Sequence, residues 1–215
     1  MIVQILVKLI NYLDTLPPLV ILLLALNNKV LRGSFIFYYL LIQFTFNLSA
    51  NILNELHLPN LYLYNLNGPL SFFALSLFYI DLLNTKKSKN TIIIASLLYI
   101  VFFFYDIFVL EGPSVFNSNT FCLASFILCA YALFYYLKIF RTITEDNILN
   151  SANFWFNTGI FSYYTINFFI FLTYNKLTQD KLPLIGIIWQ LHNVIFLIMC
   201  TCLFIGTLCK PLEEK

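Results

Sequence analysis

Charged side chains are scarce in this 215-residue chain: 12 Lys and Arg and 10 Asp and Glu make a tenth of all residues, against roughly a quarter in a water-soluble domain. That scarcity excludes an ordinary hydrated surface. A net charge of +2 is too small to hold a nucleic acid, and the basic residues fall in short clusters between apolar stretches, not along one face. The only histidines are His57 and His192, far apart in sequence. HExxH, a glycine-rich phosphate loop and GxSxG are all missing. No catalytic residue, metal or cofactor is therefore assigned, and the reading is of a protein that is not an enzyme. The five cysteines, Cys122, Cys129, Cys200, Cys202 and Cys209, form no CxxC pair and all lie in apolar segments, where they read as reduced packing residues. No cleavable signal peptide is evident, because Lys8 interrupts the first apolar run and no small-residue cleavage site follows it.

What is abundant is apolar and aromatic: 60% of the chain is hydrophobic, with 24 Phe and 14 Tyr. Lipid is the solvent this composition suits. A bilayer core of about 30 Å takes roughly 20 apolar residues as a helix, and only helices or closed barrels satisfy every backbone group there. Seven stretches qualify, at about 10–30, 33–55, 62–83, 91–110, 120–140, 153–174 and 184–208. Continuous runs of Phe, Ile and Leu without strict alternation favour helices over a barrel. The expected fold is an all-α integral membrane protein, a seven-transmembrane-helix bundle forming one domain over 1–215. Residues 2–13 carry Gln4, Lys8 and Asn11 at helical spacing, so this leader either lies in the interface or extends the first helix. Pro17 and Pro18 start or kink the first stretch, and Gly68 with Pro69 interrupts the third near its outer end.

Lys and Arg resist translocation when they flank short loops, and here they choose one side. Lys29 and Arg32, then Lys86, Lys87 and Lys89, then Lys138 and Arg141, then Lys210 and Lys215 follow the odd-numbered stretches. These place the N-terminus outside and the C-terminus in the cytoplasm. The connectors are short and leave no room for an attached domain.

Polar residues inside a span usually face a bundle interior or a wet cavity. Gln43, Asn47, Asn51 and Asn54 fall within an arc of about 80° on the second stretch, at 100° per residue. Asn67, Ser71 and Asp81 share a face of the third, and Asn153, Asn157, Tyr164 and Asn167 a face of the sixth. Two readings fit these seams. They are interhelical hydrogen-bond glue, or they line an outward-opening pocket whose ligand-binding residues are Asn51, Asn67, Asp106, Asn167, His192 and Asn193. Asp106 either sits in that pocket or is hydrated at the outer interface, and His192 has Asp106 or Glu55 as its candidate partner. Trp155 and Trp189 are placed to form an aromatic belt. The seventh stretch has no lysine for a retinal Schiff base.

Residues 154–164, FWFNTGIFSYY, and 187–200, IIWQLHNVIFLIMC, resemble a group of small seven-helix membrane proteins of Bacteroidetes, in which the same helical region precedes or neighbours a sensor histidine kinase. The resemblance covers the last two stretches. It implies a multi-pass sensor or signal-transducing module of a bacterial inner membrane, signalling through a partner such as a histidine kinase. The alternatives are a small transporter or channel, for which Asp81, Asn153 and Asn157 would continue a path inward, and an accessory subunit of a membrane complex.

Overall fold

The structure is a computed structural model that describes residues 10, 12–26, 28–142, 148–180 and 184–209. The described residues hold seven helices of ten residues or more and no strand. They are α1 (Leu16–Ala25), α2 (Phe35–Glu55), α3 (Leu61–Leu83), α4 (Lys86–Tyr105), α5 (Ser118–Thr142), α6 (Ala152–Gln179) and α7 (Leu184–Leu208). A single helical turn, Lys29–Arg32, joins α1 to α2, and α4 runs on as a π-helical segment, Asp106–Leu110. Five helices, α2, α3, α4 with its π segment, α5 and α7, are long and apolar enough to cross a membrane. The chain is thus an all-α integral membrane protein.

Local chemistry sets most boundaries. The side chains of Ser34, Thr85 and Ser151 accept hydrogen bonds from the backbone N–H groups of Ile36, Ser88 and Phe154, capping α2, α4 and α6. Asn84 ends α3 in the left-handed conformation, at φ 43°. Pro17 and Pro18 occupy the first turn of α1, where their missing N–H groups cost nothing.

The first stretch differs most from its expected span. In place of a helix over 10–30, α1 has ten residues, about 15 Å at 1.5 Å per residue, preceded by a turn at 12–15. The expected interruption at Gly68 and Pro69 is also absent, because α3 continues through Pro69. The leader bearing Gln4, Lys8 and Asn11 lies outside the described residues. α6 is 28 residues long but falls outside the apolar set, since Asn157, Thr158, Ser162, Thr165, Asn167 and Thr173 interrupt it. Those groups are bonded within the bundle: Thr158, Ser162 and Thr173 donate to carbonyls one turn back, and Asn157 accepts from the Tyr79 hydroxyl at 2.8 Å.

Six helices close a ring in the order α1, α2, α3, α5, α6, α7, with α7 returning to α1, while α4 packs outside against α3 and α5. Only Ile92 and Tyr99 of α4 are buried. The tightest seam is α6 against α7. A Cβ on Gly159 would lie 3.0 Å from the Met199 carbonyl oxygen, and one on Gly206 would lie 2.5 Å from the Phe156 ring. Small residues let membrane helices approach closely, so van der Waals contact holds them where no hydrophobic drive exists. Replacing Gly159 by Val, or Gly206 by Ala, is therefore expected to lower stability by about 1–3 kcal/mol through overpacking, read as a lower midpoint of thermal unfolding in detergent.

Candidate functional site

At the end of the ring where α2 finishes and α3 and α7 begin, the helices part around a funnel. Its outer chamber, about 370 Å³, is lined by Asp14, Asn51, Asn54, Asn60, Tyr64, Phe116, Tyr174, Trp189 and Asn193. Below it a nearly closed chamber of about 40 Å³ reaches Gln43, Asn47, Asn67, Ser71, Tyr163 and His192, room for on the order of a few waters. Asp14, Tyr64, Phe116, Trp189 and Asn193 line both chambers and form the waist between them.

An amide network builds the α2–α3 wall. Gln43 Nε2 donates to Asn67 Oδ1 at 3.1 Å and to Ser71 Oγ at 2.7 Å. Asn67 Nδ2 returns to Gln43 Oε1 at 3.4 Å and Asn47 Oδ1 at 3.5 Å. Asn47 Nδ2 donates to Gln43 Oε1 at 3.3 Å and to the Asp14 carbonyl at 3.1 Å. Asn51 Nδ2 then reaches Asp14 Oδ1 at 3.3 Å and Thr15 Oγ1 at 2.9 Å. Gln43, Asn47 and Asn51 of the α2 seam are thus turned inward and tie down the turn before α1, while Asn54 is exposed at the outer chamber.

Across the funnel, α6 and α7 contribute a histidine locked by two neighbours. Asn167 Nδ2 donates to the Tyr163 carbonyl at 3.0 Å, which aims its Oδ1 at His192 Nδ1, 2.7 Å away. Nδ1 therefore carries the hydrogen, and Nε2 is left to accept from the Tyr163 hydroxyl at 3.3 Å. The imidazole stacks on Trp189, with centroids 5.1 Å apart and planes at 21°. Tyr64 and Phe116 meet Trp189 edge-on at 5.6 and 5.7 Å. Trp189 is therefore part of the funnel wall and not simply an interfacial anchor, whereas Trp155 donates to the Leu149 carbonyl at the other end of the bundle.

Of the six residues expected to bind ligand, Asn51, Asn67, His192 and Asn193 line the funnel. Asn167 stands behind His192. Asp106 is fully buried elsewhere, accepting from Asn119 Nδ2 at 3.1 Å and Thr120 Oγ1 at 3.4 Å. The Asp106–His192 pairing is not formed, because the π segment carries Asp106 to the first turn of α5, where the side chains of Asn119 and Thr120 take up its oxygens. Glu111, in the connector after α4, does similar work: it accepts from Ser118 Oγ at 2.9 Å, from the Asn119 backbone N–H and from Asn175 Nδ2 on α6. Sequence reading passed over Asp14, although it is the only carboxylate ahead of Glu55 and stands just before two prolines. It also passed over Tyr64 and Phe116, for which no local signal exists in so aromatic a chain.

Among the described residues, no group of three or more His, Cys, Asp or Glu side chains is placed to hold a metal. The site is a half-polar, half-aromatic cavity of a kind suited to binding a small ligand. The molecule is an α-helical membrane protein with a funnel at one end. Compared with protein-family models, curated proteins and solved structures, it matches none.

Two measurements check this geometry. Gln43→Leu removes the hub of the network and strands Asn67, Asn47 and Ser71, so it is expected to cost about 1–3 kcal/mol or more of stability. Glu111 is raised from 4.5 to about 7, first by burial and further by nearby Asp106, against the bonds from Asn175 and Ser118. A carboxyl whose folded value lies above its unfolded one binds the extra proton when folded. Its contribution is complete below the unfolded value and is lost as pH rises through the folded one. The unfolding midpoint in detergent is expected to fall between about pH 5 and about pH 7.5, and Glu111→Gln to reduce that fall.

Proposed function

We propose that this chain is a seven-helix sensor of a bacterial inner membrane that binds a small or lipidic ligand in the funnel and signals through a partner at the opposite face. Its N-terminus is outside and its C-terminus is cytoplasmic. The observation that carries the reading is the shape of the cavity. It opens at one end of the ring, and the core beyond its lining is filled by buried side chains, among them Tyr39, Leu75, Tyr79, Phe156, Met199 and Leu203. A transporter or channel would need a continuing path. Asp81 and Asn153 are exposed on the outside of the bundle, and Asn157 is closed between the Tyr79 hydroxyl and the Ala132 carbonyl.

Charge supports the orientation. Arg32, Lys86, Lys87, Lys89, Lys138 and Arg141 gather at the end away from the funnel, where Lys138 Nζ donates to the Leu82 carbonyl. That end is cytoplasmic by the positive-inside rule. In this reading α6 spans with its polar groups bonded inside the bundle, and α1 spans together with the turns on either side of it. The resemblance of 154–164 and 187–200 to kinase-associated membrane modules supports a histidine kinase as the partner.

In a variant stripped of its five cysteines, a cysteine replacing Ser114 is expected to react with an impermeant maleimide in intact cells, and one replacing Asn90 only after lysis; the reverse pattern overturns the orientation. For the function, photo-crosslinkers at Lys87 and Arg141 in native membranes are expected to capture a histidine kinase or its regulator. The phosphorylation of that partner should change roughly fivefold or more in His192→Gln, while membrane abundance of the chain holds. A chain recovered alone that carries solute or proton flux in proteoliposomes would make it a transporter.

A further inference from the structure

The amide hydrogens of the α2–α3 wall are already committed. Gln43, Asn47, Asn51 and Asn67 each commit both amide hydrogens to partners inside the network. Ser71 donates to Asn67 at 2.8 Å, and the one N–H of His192 is held by Asn167. The fully buried polar atom left unmet at the waist is an acceptor. Asn193 is 1% exposed and its Oδ1 has no hydrogen-bond partner, its Nδ2 being held by the Ile10 carbonyl. Asp14 is buried, and only its Oδ1 accepts from side chains, those of Thr15 and Asn51. Neither bond comes from a cation.

A buried carbonyl without a donor, and a carboxylate that meets no cation among the described residues, are both costly in a low-dielectric site. An anion would be repelled there, and an alkyl chain would leave both oxygens as they are. A bare metal ion would find too few ligands, as no cluster of three His, Cys, Asp or Glu exists among the described residues. The opposite wall is aromatic: Tyr64 and Phe116 pack edge-on around Trp189 within 6 Å of its centroid. Ring faces attract cations, organic ammonium ions in particular.

We infer that the funnel takes a small organic ammonium ion, whose N–H groups donate to the Asp14 carboxylate and Asn193 Oδ1 while its charge and carbon skeleton lie against Tyr64, Phe116 and Trp189. This deepens the proposed function and rests on the funnel being a ligand site.

The test uses the full chain in lipid nanodiscs with Trp155→Phe, which leaves Trp189 as the sole tryptophan of the two and touches nothing in the funnel. Its emission is followed while 2-phenylethylammonium, neutral 2-phenylethanol and anionic 3-phenylpropionate are titrated in turn. The ammonium is expected to bind about tenfold or more tightly than the alcohol, the carboxylate not to bind, and Asp14→Asn to abolish the preference while keeping the alcohol affinity. Equal affinity for the alcohol and the ammonium, or tighter binding of the carboxylate, overturns the ammonium assignment and leaves the ligand site standing. Silence from all three probes overturns both. The comparison among probes in the chain with native Asp14 decides the matter even where Asp14→Asn does not fold.

Discussion

The bundle depends on one constraint, that a polar group removed from water must find its partner inside the protein. Gln43 is where this constraint is met most fully. Both of its amide hydrogens and both lone pairs of its oxygen are used, on Asn67, Ser71 and Asn47. Because each partner must stand at a fixed distance, the network sets the register of α2 against α3. Asn47 and Asn51, one and two turns on, then reach the Asp14 backbone and carboxylate, so the same face of α2 also positions the segment leading into α1. A leucine-rich seam would tolerate sliding; this one does not.

The other half of the ring solves the same problem with less room. Gly159 and Gly206 bring α6 and α7 into backbone contact, and at that separation Asn167 on α6 reaches His192 on α7. The histidine is fully engaged by Asn167 and Tyr163, so its part in the funnel is to hold the Trp189 ring by stacking. Close packing toward one end of this seam and a spread aromatic wall at the other are two consequences of the same pair of helices: glycine where they touch, tryptophan and tyrosine where they part.

Much of this was legible in the sequence because lipid imposes a simple rule of length and hydropathy. The seventh stretch, read as 184–208, coincides with α7, and the second and third lie within two residues of α2 and α3 at each end. The amide arc of Gln43, Asn47 and Asn51 could be read because helical spacing alone puts those residues on one side, and a polar side must turn inward. The misses have a different origin. Asp106 looked like a pocket residue from its depth, but a π segment and the first turn of α5 determine where it points, and neither leaves a mark in hydropathy. Asp14 was hidden because a window long enough to find a span averages one carboxylate away. Phe116 owes its place to a connector folding back, through Asn65, which donates to the Val115 carbonyl and accepts from the Asn117 backbone N–H; no periodicity encodes such a return.

For the sensor proposed above, the funnel singles out the element that would answer a ligand. α1 is the shortest helix of the ring, and side-chain amides tie its approach to the rest: Asn47 and Asn51 from α2 hold Asp14 and Thr15, and Asn193 from α7 holds the Ile10 carbonyl. Beyond α1, Asn28 donates to the Thr207 carbonyl near the end of α7, next to the Lys29–Arg32 turn. A donor bound between Asp14 and Asn193 would meet two side chains that also fix the approach to α1, Asp14 through Asn51 and Asn193 through the Ile10 carbonyl. In the proposed sensor, ligand binding would act on the joint between α1 and the packed α6–α7 pair, where differential contact can shift a two-state equilibrium. The far end of that joint is the basic face. In the proposed sensor the signal would run along α1 and leave the hydrogen bonds of Gln43 in place, so that a fixed wall and a responsive helix would share one cavity.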